Sequence, residues 1–281
     1  MRNDERRFSG VLIPAYRRVR SIAASKFAEL HLAERITNGE QVVIKVARDA
    51  LQDSDLDPAF RRLLLEHDLA QRVDSRYAVR VYELGVSDEH VYMVMEYFDG
   101  GDLRQRMRSP LSVAQSLRLG LDICRALEAV HGIGLLHRDL KPGNVMLRRG
   151  GGVALIDFGL AKDAALAGDI TDTGQILGTP HYMSPEQGHG EAMDVRSDLY
   201  SLGIMLFEML TGRKPFMAEN PMAIIYLHRK QSVPELPEEL DGLQPLLWRL
   251  LAKDPAARFA SAAEAARAIE QELAGREVGQ S

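Results

Sequence analysis

The stretch that decides the fold reads His137-Arg138-Asp139-Leu140-Lys141-Pro142-Gly143-Asn144, and Asp157-Phe158-Gly159 follows it. Between these two polar segments lie short apolar runs at 144–148 and 153–156, joined through Gly150-Gly151-Gly152. Short apolar runs separated by a glycine turn predict a β-hairpin. The sequence therefore places acidic, basic and amide side chains on both sides of one predicted hairpin.

The region before this stretch is mostly strand-like. Strands are predicted at 41–47, 79–84 and 91–97, which are rich in β-branched and aromatic residues. One helix interrupts them, opened by Asp57 at the N-cap and Pro58 at the first helical position. This part of the chain is predicted to form a small β-rich lobe with one main helix.

The region after the glycine-containing connector at 98–102 is mostly helical. Ser112 and Gln115 form a capping box that opens a long amphipathic helix. Further helices are predicted at 197–210, 221–230, 243–252 and 261–273. Ser261 and Glu264 form a second capping box at the start of the last one. The pattern as a whole predicts an α+β protein with a largely helical second part.

Composition and charge exclude several classes of function. The 281 residues are 46% hydrophobic and 27% charged, which is typical of globular proteins and excludes a disordered or fibrous chain. The net charge of −5 gives no support to nucleic-acid binding or to a polybasic membrane anchor. Cys124 is the only cysteine, so neither an intrachain disulfide nor a cysteine-based zinc site can form.

Targeting signals are missing from the sequence as given. The N-terminal residues carry charges with no apolar run behind them, and no apolar run is long enough to cross a bilayer. We therefore expect a cytoplasmic location and no membrane contact by this segment. A membrane anchor in another part of a longer protein stays open.

HRDLKPGN at 137–144, DFG at 157–159 and SPE at 184–186 resemble the catalytic-loop, metal-loop and activation-segment motifs of protein kinases. The resemblance runs from Val11 to Leu273, nearly the whole chain. It implies the bilobal protein-kinase fold, with a β-rich N-lobe above a mostly helical C-lobe. The expected limits are a flexible N-terminus at 1–10, the N-lobe at 11–96, the C-lobe at 97–273 and a flexible tail at 274–281.

The resemblance implies catalysis by positioning ATP and offsetting its phosphate charge, because phosphoryl transfer needs little covalent work from the protein. Asp139 would accept or orient the proton of the substrate hydroxyl, and Lys141 would reach the γ-phosphate. Asn144 and Asp157 would supply oxygen ligands to Mg²⁺, or to Mn²⁺ in its place. His137 invites a general-base interpretation, but in the family this position packs and supports the loop.

Lys45 resembles the kinase lysine that holds the α- and β-phosphates, and Glu66 resembles its ion-pair partner. Asp68 is the alternative partner in the same helix. Counting back from the next strand favours Glu66, and the longer side chain fits the position that faces the sheet. The competing interpretation of Glu66 is a solvated helix carboxylate.

The resemblance also implies an adenine pocket. Backbone groups of Glu96 and Phe98, with Met95 just before them, would bind the adenine edge, and Asp102 would lie near the ribose. The complete set of expected nucleotide-binding residues is Ile22, Ala23, Ser25, Leu30, Val43, Lys45, Met95, Glu96, Phe98, Asp102 and Met146. Several of these, such as Val43 and Met146, are equally ordinary core residues, because a pocket lining is also core.

Regulatory and structural roles follow from the same resemblance. Arg138 marks kinases whose activation segment is ordered by a phosphate, and Thr171 and Thr173 are the proposed phosphosites. Thr179 resembles the threonine that contacts the catalytic aspartate. The remaining structural expectations are a buried Glu186–Arg258 ion pair and a helix aspartate, Asp198, that supports the backbone of residues 137–139.

The sequence departs from the family at the glycine-rich loop, which should lie at 22–30. The three glycine positions fall on Ala23, Ser25 and Ala28. Glycine is favoured there because the backbone must approach the phosphates closely, so we expect weaker ATP binding. This motivates an alternative function, a pseudokinase that binds nucleotide or partner proteins without turnover. The retention of all the expected catalytic residues favours an active kinase.

Lys141 and the segment 178–180 are more similar to Ser/Thr kinases than to tyrosine kinases. The compact segment 184–187 and the Arg/Ala-rich helices are similar to bacterial eukaryotic-like Ser/Thr kinases. The implied partners are protein substrates with Ser or Thr acceptors and, as is common in this subgroup, a second copy of the chain in an N-lobe homodimer. No nucleic-acid partner is expected.

Overall fold

The computed structural model describes residues 7–25, 28–48, 58–73, 76–88, 90–157 and 180–278. Contacts divide the chain into two units, Met1–Asp99 and Gly100–Ser281. The division lies within the predicted glycine-containing connector. The predicted pairing of a β-rich part with a mostly helical part is confirmed, while the exact lobe limits at 96 and 97 stay a prediction.

The first unit begins with a short antiparallel hairpin. Its strands are β1 (Arg7–Phe8) and β2 (Val11–Leu12). Ser9 and Gly10 form the turn, both at positive φ, 54° and 89°. The side chain of Phe8 is fully buried, and its ring meets the edge of His31 at 5.7 Å. Residues 7–10 of the segment expected to be flexible therefore form part of a hairpin, which the buried Phe8 side chain packs onto the sheet.

A five-stranded antiparallel sheet forms the body of the first unit. Its strands are β3 (Tyr16–Ala24), β4 (Ala28–Arg35), β5 (Gln41–Ala47), β6 (Val81–Ser87) and β7 (His90–Glu96), in the order β3-β4-β5-β7-β6. Val42, Ile44 and Val46 of β5 are fully buried in one cluster with Phe8. Because side chains alternate along a strand, Lys45 lies on the opposite face.

The helix α1 (Pro58–Arg72) packs against that opposite face. Its predicted start at Pro58 is confirmed, while the expected cap, Asp57, lies outside the described residues. Leu63 is buried against Ala47 and Met93, and Glu66 follows one turn later on the same side. The helix therefore brings Glu66 to the sheet face that carries Lys45.

The second unit is mostly helical. Its elements are α2 (Leu103–Arg106), α3 (Val113–His131), β8 (Val145–Leu147), β9 (Val153–Leu155), α4 (Pro185–Gly188), α5 (Val195–Thr211), α6 (Pro221–Lys230), α7 (Gln244–Leu250) and α8 (Ala262–Val278). The capping box at Ser112 and Gln115 is confirmed, with both of its hydrogen bonds formed. The predicted hairpin is also confirmed, with Leu147 paired to Val153.

Helix α5 forms the centre of the second unit, and every residue of 197–207 is buried. Gly203 is required here, because a Cβ at this position would lie 2.8 Å from side-chain atoms of Leu250 and Leu251. Helices α3 and α8 pack against each other and against α5. Within the described ranges, no helix is long and apolar enough to span a membrane.

The C-terminal helix is longer than expected. The sequence pattern predicts an end at Leu273 and a flexible tail at 274–281, but α8 continues to Val278. Gly275 disfavours a helix by only about 1 kcal/mol relative to alanine, which does not stop it. At the start of α8, the Ser261 hydroxyl accepts from the Glu264 N–H, while the Glu264 carboxylate accepts from Ala260 instead of closing the predicted capping box.

Candidate functional site

Lys45 and Glu66 form an ion pair within the first unit. The distance from Lys45 Nζ to Glu66 Oε2 is 2.5 Å, and the two side chains are 15% and 21% exposed. The alternative partner Asp68 is 72% exposed and contacts His67 at 3.3 Å. The structure thus brings together the two residues that the sequence paired, and it leaves Asp68 at the surface.

The register of the sheet gathers other expected nucleotide-binding residues around Lys45. Leu30 of β4 lies opposite Lys45, and Met95 of β7 lies opposite Val43. Paired residues of neighbouring strands share a face, so these four side chains line the same side of the sheet. Ala23 extends this row, because it pairs with Leu30.

A serine closes the turn where the glycine-rich loop was expected. The Ser25 N–H and hydroxyl both donate to the Ala28 carbonyl, at 2.9 and 3.0 Å, and the Ala28 N–H donates to the Ser25 hydroxyl at 3.1 Å. Ile22, before the turn, is 40% exposed. The departure from the glycine pattern therefore has a structural counterpart, because glycine lacks the hydroxyl that makes two of these three contacts.

The residues expected at the adenine edge lie at the end of the first unit. Glu96 still pairs within the sheet, its N–H donating to the Arg80 carbonyl at 2.9 Å, and Phe98 is buried. In the second unit, Asp102 caps α2 by accepting from the Gln105 N–H at 2.7 Å, and it bridges to Met146 of β8. The sequence did not predict this capping contact, and the ribose role of Asp102 stays a prediction.

Asp139 lies at the centre of a polar network in the second unit. Its Oδ2 accepts from Lys141 Nζ at 2.5 Å and from Asn144 Nδ2 at 3.1 Å. Asn144 Nδ2 also donates to the Asp139 carbonyl at 2.8 Å. The residues 142–144 form a short 3₁₀ turn, which brings Asn144 back to Asp139. The three predicted catalytic-loop residues are therefore in direct contact.

Asp198 anchors the backbone that carries Asp139. Its carboxylate accepts from the N–H groups of His137 and Arg138, both at 2.9 Å, and from His131 Nε2 at 2.8 Å. Burial raises the pKa of Asp198, but the hydrogen bonds from His131 and from the His137 backbone N–H outweigh burial and lower the pKa overall. The support predicted for Asp198 is present, while the contact with His131 was missed.

The local backbone is held in an uncommon conformation. Arg138 has φ of 63° and Asp157 has φ of 56°, the left-handed region that non-glycine residues rarely adopt. The fully buried His137 contacts the Ile156 carbonyl through Nε2 at 3.1 Å. Burial lowers the pKa of His137. The contact supports the packing role of His137.

Asn144 and Asp157 fit a divalent cation by their chemistry. The amide hydrogens of Asn144 point to Asp139, which leaves the amide oxygen as its ligand atom. The Ile156 N–H donates to the Asn144 carbonyl at 3.1 Å, so the backbone ties together the segments that carry both residues. Carboxylate and amide oxygens are ligands that Mg²⁺ prefers. The described ranges contain no cluster of three or more His, Cys, Asp or Glu side chains that could hold a metal.

Glu186 and Arg258 form the predicted buried ion pair. It is bidentate, with distances of 2.7 and 2.9 Å, and Ser197 donates to Glu186 at 2.6 Å. Arg258 also donates to the carbonyls of Ala252, Arg196 and Lys253, and its guanidinium lies 4.8 Å from the centre of the Tyr200 ring. Burial raises the pKa of Glu186, but hydrogen bonds from Arg258 and Ser197 outweigh it and lower the pKa to about 2.

A second unpredicted contact joins α4 to the catalytic loop. Gln187, next to Glu186, donates from Nε2 to the Arg138 carbonyl at 2.7 Å. The expected phosphosites Thr171 and Thr173, together with Thr179, lie outside the described residues. The structure therefore describes the two ends of the predicted activation segment, up to Asp157 and from Pro180.

Comparisons with known proteins agree with this geometry. The family model described as "Protein kinase domain" matches residues 16–271. A probable serine/threonine-protein kinase of Streptomyces coelicolor is 38% identical over 269 residues, 90% of this chain and 39% of its own length. Serine/threonine-protein kinase PknB of Mycobacterium leprae is 36% identical over 84% of this chain and 39% of its own length. The chain thus spans well under half of these relatives.

Solved structures give the same answer for the fold. A point mutant of the Mycobacterium tuberculosis PknI kinase domain is 29% identical with a TM-score of 0.68, covering 95% of this chain and 98% of that one. The unmutated PknI kinase domain is 28% identical with a TM-score of 0.67, covering 94% of this chain and 98% of that one. The fold predicted from the sequence is therefore confirmed by solved structures.

Proposed function

Because the chain belongs to the protein kinase domain family, we propose that it transfers the γ-phosphoryl group of ATP to serine or threonine hydroxyls of protein substrates. The observation that supports this most is the contact of Lys141 and Asn144 with Asp139. The names of the similar bacterial proteins support serine and threonine as acceptors.

In this proposal Asp139 acts on the acceptor hydroxyl. Its carboxylate accepts or orients the hydroxyl proton, and Lys141 places a positive charge beside it. Lys45, held by Glu66, binds the α- and β-phosphates. Asn144 and Asp157 would hold Mg²⁺ or Mn²⁺, which neutralises phosphate charge when bound.

We further propose that the activity is regulated by autophosphorylation. A phosphate on Thr171 or Thr173 would pair with Arg138 and order the activation segment. The hydrogen bond from Gln187 to the Arg138 carbonyl supports the idea that Arg138 links the activation segment to the catalytic loop. The N-lobe homodimer, the lobe limits at 11–96 and 97–273 and a cytoplasmic location remain part of the same proposal.

The glycine-free loop favours a second candidate function, that of a pseudokinase which binds nucleotide or partner proteins without turnover. Ser25 closes the turn by three hydrogen bonds that involve Ala28, which restricts the backbone where glycine usually allows it to move. This observation bears on ATP binding and leaves the contacts around Asp139 intact.

One experiment separates the two functions. Dephosphorylated protein is incubated with Mg-ATP beside the Asp139→Asn variant, and intact mass and phosphosites are measured. We expect the wild type alone to gain phosphate, at Thr171 or Thr173. Gain only at other sites would contradict the proposed regulation. No gain by either protein, on itself or on a generic protein substrate, together with measurable nucleotide binding, would favour the pseudokinase.

A further inference from the structure

A cavity of about 610 Å³ lies in the second unit beside Asp139. Four segments of the chain line it: α2, the catalytic loop, the segment 181–187 and α5 with the loop after it. Its described lining includes Arg104 of α2, Asp139 and Gly143 of the catalytic loop, and Tyr182. We call this cavity the acceptor groove, since it is open to solvent and contains the residue proposed to act on the acceptor hydroxyl.

The acceptor groove is lined by more positive than negative charge. Its described lining has four cationic side chains, Arg104, Arg138, Lys141 and Lys214, and one carboxylate, Asp139. Lys141 pairs with Asp139, and Lys214 pairs with Glu208 beside the groove, so the two arginines carry the excess of positive charge. Burial and the nearby Lys214 lower the pKa of His181, so this ring adds no charge near neutral pH. A groove with this balance favours a ligand that carries negative charge.

A further carboxylate next to the groove is already engaged. Glu208 accepts from the Tyr182 hydroxyl at 2.6 Å and from Lys214 Nζ at 3.0 Å, and it is only 15% exposed. Its charge is therefore balanced by Lys214 and shielded by Tyr182. A basic side chain of a substrate entering the groove would have to compete for Glu208 with these two groups.

Arg104 is the cation of the groove best placed to reach a ligand. Its side chain is 73% exposed, and its contact with Asp102 is long, at 3.5 Å. The guanidinium carbon lies 3.9 Å from the point where a Cβ on Gly143 would be. Gly143 is next to Asn144, so Arg104 lies over the catalytic loop, and a larger side chain at 143 would enter the space that it occupies.

We propose that Arg104 selects protein substrates that carry an aspartate or glutamate within a few residues of the acceptor serine or threonine. The proposal rests on the proposed function, because it assumes that the acceptor hydroxyl lies at Asp139. A guanidinium pairs well with a carboxylate, and the excess positive charge draws acidic segments toward the groove. The exposure of Arg104 keeps the energy of each contact small, so the preference is graded.

The test uses a neutral peptide with one threonine and a single glutamate, alanine or lysine moved through the flanking positions. We expect at least one position where glutamate raises kcat/KM about fivefold over alanine, mainly through KM. Arg104→Ala should remove this preference and Arg104→Glu should turn it toward lysine. The preference should also shrink as the KCl concentration rises.

Arg108→Ala is the matched control. It removes the same charge from an exposed arginine shortly after α2 but outside the groove, so the glutamate preference should survive. Equal kcat/KM for glutamate and alanine at every position would overturn the proposal. So would a glutamate preference that Arg104→Ala leaves unchanged.

Failure of the proposed function has a different signature. If the wild type phosphorylates none of the peptides, binding of the fluorescently labelled peptides is measured by anisotropy instead. A glutamate peptide that binds the wild type more tightly, but not Arg104→Ala, would support the acidic selectivity of the groove. The missing phosphorylation would then count against phosphoryl transfer alone. Equal binding of all peptides would refute both.

Discussion

The two units hold their functional residues in different ways. In the first, the ion pair of Lys45 and Glu66 joins a strand to a helix, and both side chains remain partly exposed. In the second, Asp198 is 1% exposed, and its carboxylate accepts hydrogen bonds from two backbone N–H groups and from one histidine ring nitrogen. The first contact depends on two long side chains, while the second fixes the backbone directly.

Because the charges of the two units differ in burial, mutations of these charges should affect activity and stability differently. Breaking a fully buried, hydrogen-bonded charge pair leaves an uncompensated charge and is strongly destabilising, whereas a pair that keeps some contact with water loses less stability when it is broken. We therefore expect that removing a charge of the Lys45–Glu66 pair abolishes activity while the first unit stays folded. Removing a buried charge of the second unit should instead unfold it. Five changes, from the largest expected effect to the smallest, test this comparison.

Arg258→Ala should have the largest effect on stability. It leaves the buried Glu186 carboxylate without its bidentate partner, which costs about 3–5 kcal/mol of unfolding free energy. Urea titration followed by circular dichroism measures this. Arg229→Ala is the matched control, because it removes an exposed ion pair with Glu191 and should leave the urea midpoint nearly unchanged. Similar midpoints for both variants would break the comparison.

Lys45→Met should separate activity from stability in the first unit. Without the positive charge that offsets the phosphates, we expect phosphoryl transfer to fall about 10²–10³-fold. The unfolding free energy should fall by less than in Arg258→Ala, because the Lys45 and Glu66 side chains are 15% and 21% exposed, against 0% and 4% for Arg258 and Glu186. Radiolabelled ATP and urea titration give the two numbers. A loss of stability as large as that of Arg258→Ala would show that the first unit is held as rigidly as the second.

Acid should destabilise the second unit through His228. Burial, followed by the charge of Lys253, lowers the pKa of His228 to about 3. The unfolded chain binds a proton near pH 6.5 and the folded chain does not, so stability falls as the pH drops from 6.5 toward 3. Between about pH 6.5 and 5 the loss should be about 1.5 kcal/mol, and His228→Gln should remove it.

His31 is the counterpart in the first unit. Burial lowers the pKa of His31, but Glu29, 3.7 Å away, opposes the shift. His31→Gln should therefore remove less of the pH dependence than His228→Gln. Chemical unfolding at a series of pH values measures both variants, and an equal or larger effect at His31 would reverse the expected order.

Ser25→Gly should have the smallest effect. It removes the hydroxyl contacts with Ala28 and returns one glycine to the loop, so stability should fall by about 1 kcal/mol. The KM for ATP should fall about threefold, since the freed backbone can approach the phosphates more closely. Ser25→Ala removes the hydroxyl without adding backbone freedom and should not lower KM. A lower KM in both variants would contradict this account.

The predictions that the structure confirms came from sequence patterns within single segments or neighbouring ones. The β-branched run QVVIKVA predicts the strand that carries Lys45, and counting back from the next strand selects Glu66 as its partner. Ser112 and Gln115 show both halves of a capping box within four residues. Such signals are local in the chain, so the sequence can reveal them.

The missed contacts join segments that are far apart in the chain. His131 meets Asp198, and Gln187 meets the Arg138 carbonyl, through packing that no local spacing encodes. Arg104 reaches Gly143 in the same way. The hairpin at 7–12 was missed for another reason, because strands of two residues are too short to show a period.

That hairpin also matters for the choice of fragment ends. The Ser9 hydroxyl forms hydrogen bonds with His31 at 2.9 Å and with Glu29 at 2.5 Å. The Leu12 N–H donates to the Asp88 carboxylate, and the Leu12 carbonyl accepts from the Ser87 hydroxyl. The family model starts at residue 16, so a fragment cut to its limits would lack the hairpin. It would uncover the buried cluster that contains Ile44 and present an apolar sheet face to solvent. Fragments for expression should therefore begin ahead of Phe8, with any affinity tag attached before it.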